Sequence, residues 1–143
     1  MLKRDIVFRG KRVDNGQWVE GFYSNLYYEE KCEEQSIITY QKFYAADMSY
    51  PYPSVNTVDA EVDPETVGQF TGRYDKNDKE IFERDIVVNK NIHGKKWIVE
   101  YRTDSEYVGF VLKEIGTNGI SLFTSWNDIE VIGNIHDNKE LLK

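Results

Sequence analysis

Residues 62–88 read VDPETVGQFTGRYDKNDKEIFERDIVV, and their grammar decides the fold class of the whole chain. Asp63-Pro64-Glu65 is a helix start: Asp accepts from free N–H groups, Pro pre-sets φ, and Glu complements the positive end of the dipole. Gly68 ends that turn. Gln69-Phe70-Thr71 predicts a short strand, Gly72 a bend or bulge, and Asp75-Lys76-Asn77-Asp78-Lys79 a reversal. A two-residue primed turn needs positive φ at both central positions, where Asn-Gly is preferred. With Asn77-Asp78 in those places, the Asp is expected to be strained by about 1 kcal/mol. Ile81, Phe82, Ile86, Val87 and Val88 predict the returning strand, bent at Glu83-Arg84-Asp85.

Working outward, residues 5–9 start a strand, Asp14-Asn15-Gly16 signals a hairpin, and Trp18, Val19, Phe22 and Tyr23 lie on its second strand. Residues 27–35 hold Glu29, Glu30, Glu33 and Glu34 around Cys32 and read as a loop or irregular helix. Residues 36–44 predict a strand with no purely apolar face, hence an edge or inserted hairpin strand. Met48-Ser49-Tyr50-Pro51-Tyr52-Pro53 is an aromatic loop held extended before each Pro. Past Val88, strands are expected at 95–102, at 107–114 and after Thr117-Asn118-Gly119. A turn at 125–128, a last strand at 129–135 and a short helix ending in Leu141 and Leu142 complete the chain.

The pattern VDPETVGQFTG…DKN.KEIFE.DIV resembles the YopX family of bacteriophage and prophage proteins. The opening, Val7-Phe8-Arg9-Gly10-Lys11-Arg12 with Asn15-Gly16-Gln17-Trp18-Val19-Glu20-Gly21, is similar to that family's FRGK…NG.WV.G. The close, Glu130-Val131-Ile132-Gly133-Asn134-Ile135-His136 with Leu141-Leu142, is similar to its EVIGNI…LL. The family commonly has Gly where Asp78 and Arg84 stand. The resemblance implies a phage setting and a mainly β structure. It implies no activity, cofactor or catalytic residue.

The expected fold is mainly β. A small SH3-like barrel or rolled antiparallel sheet fills residues 63–143, on the spacing of five or six short strands. An N-terminal β-hairpin layer fills residues 1–62, with an inserted irregular segment at 24–56. Short helical turns fall near 63–67 and at the C-terminus, and the two regions are read as one structural unit.

Composition bounds the function. The 143 residues are 40% hydrophobic and 30% charged, which suits a folded soluble domain rather than a disordered chain. Ten Tyr, seven Phe and three Trp favour strands. The formal net charge of −7 opposes non-specific attraction to phosphates and favours a basic partner surface. One cysteine excludes an internal disulfide. No leader or membrane span is expected, so the chain is assigned to the bacterial host cytoplasm.

No catalytic, cofactor or metal residues are assigned. Phosphate-cradling glycine loops, a serine elbow and zinc spacing are absent from the sequence. The Glu29–Glu34 carboxylates lack calcium-loop spacing, and Cys32 has neither His93 nor His136 near it in sequence. Asp85 and Asp128 are weak acid–base candidates whose alternative role is to build turns. Tyr50 and Tyr52 either cover the core or form a protein-contact surface, since Tyr offers large area at low entropy cost. Lys90, Lys95 and Lys96 beside Trp97 form the best nucleic-acid candidate, stacking with phosphate attraction, and the basic opening (Lys3, Arg4, Arg9, Lys11, Arg12) could join it.

The expected function is a non-catalytic phage or prophage accessory protein. It acts as a binding or assembly module that self-associates or binds an unknown phage or host protein. The alternatives are a nucleic-acid binder, an enzyme, or an acidic mimic of nucleic acid.

Overall fold

A computed structural model describes residues 5–92, 94–123 and 128–143. Readings on Lys3, Arg4, His93 and residues 125–127 lie outside the described residues. The chain divides into two compact units, one of Ile6–Gly68 and one of Gln69–Lys143 together with Met1–Asp5. The division falls after the 63–67 turn rather than before it.

In the first unit, β1 (Phe8–Lys11), β2 (Trp18–Tyr28), β3 (Glu33–Tyr44) and β4 (Ser54–Glu61) form an antiparallel meander ordered β4-β3-β2-β1. Residues 24–56 were expected to be an irregular insertion and are not. β2 runs on to Tyr28, and β3 pairs with β4 without interruption from Ile37–Glu61 to Tyr44–Ser54. Both faces of this stretch are largely exposed, so period-2 alternation, the usual strand signal, is missing from the sequence. β3 is interior, and β4 forms the edge. Ile38, Ala60 and Val62 form the buried centre of this unit. Gly10 fits against it: a Cβ there would sit 3.1 Å from both Ile38 Cδ1 and Val62 Cβ.

Pro64–Thr66 is the expected short turn, a 3-10 turn whose Asp63 carboxylate accepts from the Glu65 N–H at 3.0 Å. A second 3-10 turn spans Lys139–Leu142.

In the second unit, β5 (Gly68–Tyr74) and β6 (Glu80–Phe82) form a hairpin. A five-stranded antiparallel sheet, ordered β10-β9-β8-β7-β11, contains β7 (Asp85–Asn89), β8 (Lys96–Thr103), β9 (Val108–Glu114), β10 (Ile120–Leu122) and β11 (Ile129–Asn134). Its core gathers Ile81, Val87, Trp97, Val99, Leu112, Phe123, Ile129 and Val131. The fold is thus mainly β, with open antiparallel sheets: β10 and β11 end the five-stranded sheet and do not pair with each other.

The β5–β6 reversal differs from the two-residue turn expected. Asp78 N–H donates to the Asp75 carbonyl, Asp75 N–H donates to the Lys79 carbonyl, and only Asp78 has positive φ, +60°. This is a three-residue loop, a type I turn followed by one left-handed residue. Only one position therefore calls for glycine, and Asp78 occupies it. Its side chain is exposed, so Asp78→Gly is expected to raise stability by about 0.5–1 kcal/mol, a gain of a few degrees in melting temperature. A lower melting temperature on a calorimetric scan would contradict the strain.

Candidate functional site

The most exposed apolar region is the outer end of the β3–β4 hairpin. Every residue from 41 to 53 is exposed, including Phe43, Tyr44, Met48, Tyr50 and Tyr52. Tyr50 and Tyr52, singled out from sequence, are 68% and 76% exposed, so they do not cover the core. Phe43 and Val55 are directly opposite each other in the register and share one exposed face. The loop is held by Asp47: its Oδ1 accepts from the Ser49 and Tyr50 N–H groups, both at 2.8 Å, and its own N–H donates to the Tyr50 carbonyl. An Asx turn of this kind presents the aromatics in a set geometry, which lowers the entropy lost on contact.

The second candidate, at the β7–β8 connection, is not assembled as expected. Trp97 is 6% exposed and belongs to the core, leaving no ring face on which a base could stack. Alternation along β8 points it inward with Val99. Its lysine neighbours have partners within the unit. Lys95 Nζ lies 3.0 Å from Glu114 Oε1, Lys96 Nζ donates to the Lys143 carbonyl at 2.9 Å, and Lys90 Nζ is 3.8 Å from Glu130 Oε2. Lys76 also pairs with Glu130, holding that carboxyl below its usual range, while proximity to Lys76 lowers the Lys90 ammonium. An open depression of about 320 Å³ lies among Val88, Lys90, Ile92, Lys95 and Lys96.

Sequence reading missed Trp18. β1–β2 register sets it opposite Lys11, with the Arg9 guanidinium 4.8 Å and the Lys11 ammonium 5.4 Å from its ring centroid. The signal was available: counting back from the Asp14-Asn15-Gly16 turn brings the two strands into this pairing. Arg12, from the same basic run, is bound to Asp14 and, at 3.3 Å, to the Tyr40 hydroxyl.

Asp85 and Asp128 do not form an acid–base pair. Asp85 is 1% exposed and its Oδ2 accepts the Phe82 N–H at 2.8 Å, closing the β6–β7 turn. Asp128 is exposed and accepts from Asn91 Nδ2 at 2.8 Å. Cys32 is exposed in the β2–β3 turn, its thiol directed to the Glu29 carbonyl. Among the described residues, no three His, Cys, Asp or Glu side chains converge to hold a metal, and no helix is long and apolar enough to cross a membrane.

The family model described as YopX protein matches residues 7–143. The chain belongs to the YopX family. This YopX chain also matches the crystal structure of protein EF1440 from Enterococcus faecalis, at 21% identity and a TM-score of 0.57, over 99% of this chain and 100% of that one. That likeness concerns the fold. No curated protein matches the YopX chain. Asp78 and Arg84, where the family resemblance leads one to expect glycine, have φ of +60° and +68°. Both substitutions thus leave an L-residue in a conformation that suits glycine.

Proposed function

We propose that this YopX protein is a non-catalytic phage or prophage accessory protein, a binding and assembly module that self-associates in the bacterial cytoplasm. One observation carries the reading: the aromatic end of the β3–β4 hairpin is exposed on both faces and ordered by Asp47. Contiguous exposed apolar surface of this kind marks interaction sites. Light scattering on the purified protein tests it. The expected result is an oligomer, weakened when Tyr50→Ser and Tyr52→Ser are combined, with an unchanged melting temperature for the dissociated chain. A monomer at about 0.1 mM, well above ordinary oligomer dissociation constants, would end the self-association reading.

We also read the five-stranded sheet as the rolled body of an SH3-like barrel. Its short strands and the β11 bulge between Val131 and Gly133 support that shape.

A second reading, nucleic-acid binding, is favoured by Trp18 between Arg9 and Lys11 rather than by Trp97. The net charge of −7 works against it. A salt-dependent titration with labelled DNA and RNA tests it, and no binding at low salt would dismiss it.

A further inference from the structure

The strand edges of this protein are not treated alike. β10 has only three residues. β11 is bulged, and its outer groups are already used: Lys76 N–H donates to the Ile129 carbonyl at 2.9 Å, and Val131 N–H donates to Asp75 Oδ2 at 3.0 Å. Such shortening, bulging and covering is how proteins guard an edge against another chain. β4 is covered only at its C-terminal end, where residues 11–13 meet it at Glu61 and Val62, and among the described residues the rest of its edge has none of these devices. Its eight residues, SVNTVDAE, contain no Pro and no Lys, and they pair with β3 in unbroken register.

The direction of its backbone groups follows from one bond. Val62 N–H donates to the Ser36 carbonyl at 2.9 Å, so 36 and 62 are a hydrogen-bonded pair. Antiparallel pairs alternate. Ala60, Val58 and Asn56 therefore turn their N–H and C=O groups toward β3, while Val55, Thr57 and Asp59 turn theirs away. The next outward carbonyl, that of Glu61, already accepts from Val13 N–H at 3.0 Å. Three consecutive outward positions remain, and all three residues are exposed.

We propose that β4 pairs antiparallel with β4 of a second copy of this chain, with Thr57 at the two-fold axis. Val55 then faces Asp59 of the copy, and every outward donor meets an outward acceptor, which is the self-complementarity an isologous interface requires. Charge favours this occupant and this direction. Asp59 and Glu61 both lie in the second half of β4, so antiparallel self-pairing sets them against the uncharged half, whereas parallel pairing would set like charges side by side. The exposed Phe43–Val55 row borders the seam and gives it apolar surface.

This inference rests on the self-association reading and adds its geometry. Thr57→Pro is the discriminating variant, because it removes an outward N–H while leaving the inward β3 ladder intact. Thr57→Lys is the companion: it keeps the N–H and sets two like charges at the axis. Light scattering should show a wild-type dimer, and both variants should be monomers with wild-type circular dichroism. Amide exchange at Val55, Thr57 and Asp59 should slow by roughly tenfold or more as concentration rises, while Asn56 and Val58 stay unchanged. A dimer that survives Thr57→Lys, with no added protection at Thr57, overturns β4 pairing yet leaves the assembly reading standing. A wild-type monomer overturns both.

Discussion

Gly21→Ala is expected to destabilise the Ile6–Gly68 unit by about 3 kcal/mol, at the upper end of over-packing penalties. A Cβ at position 21 would stand 2.2 Å from the Thr39 carbonyl oxygen, and backbone in the middle of β3 cannot swing away as a side chain tip can. Relief requires β2 and β3 to part locally, which breaks the pairing centred on Phe22–Thr39. At roughly 4–8 °C per kcal/mol for a unit of this size, melting should fall by more than 10 °C. Gly16→Ala is the control. Gly16 has φ of +69°, and an added methyl there would meet no atom within 4 Å, so only the conformational penalty applies, about 1 kcal/mol. Equal melting of the two variants would refute the steric argument.

Asp75→Ala should cost the Gln69–Lys143 unit about 3 kcal/mol. Asp75 is buried, and its carboxylate accepts from Asn77 N–H at 2.7 Å, Lys79 N–H at 3.0 Å and Val131 N–H at 3.0 Å. It closes the β5–β6 reversal and ties that reversal to β11. Its loss strands a buried donor on Val131, which alone costs about 1–3 kcal/mol. Burial by itself would raise the Asp75 pKa, but the Val131, Lys79 and Asn77 N–H groups and the Lys79 charge outweigh it and hold it below the ordinary aspartate value. A lowered folded-state pKa stabilises above the unfolded value of about 4, and this contribution fades as pH falls through the folded value. Wild-type stability should therefore drop below about pH 4, and Asp75→Asn should flatten part of that drop. Identical acid titrations of the two proteins, followed by circular dichroism, would show that Asp75 is not the group responsible.

Sequence reading reached the mainly β class, the Pro64–Thr66 turn and most strands of residues 69–143 because there a buried face imposes alternation. Trp97 and Val99 in β8, and Ile129 and Val131 in β11, are buried two residues apart, which a period-2 count detects. It found the strand at 36–44 but failed at residues 24–35 for the opposite reason: Tyr27 and Tyr28 are strand residues facing solvent, and nothing in their order separates an exposed strand from a loop. Trp97 was misjudged because neighbouring lysines suggested a surface, although alternation with Val99 already pointed inward. Tyr50 and Tyr52 could be named but not placed, since the loop before them is set by the Asp47 turn, which holds Ser49 and Tyr50 in a backbone arrangement without a sequence period.

The bond from Asp75 to Val131 spans 56 positions, and β11 finds its place beside β7 rather than beside β10. In Ile6–Gly68 each main strand instead lies next to its predecessor. Neighbouring strands close small loops and form quickly, whereas distant ones must wait. As the polypeptide leaves the ribosome, the first unit can settle strand by strand. The second stays incomplete until β11 has been made.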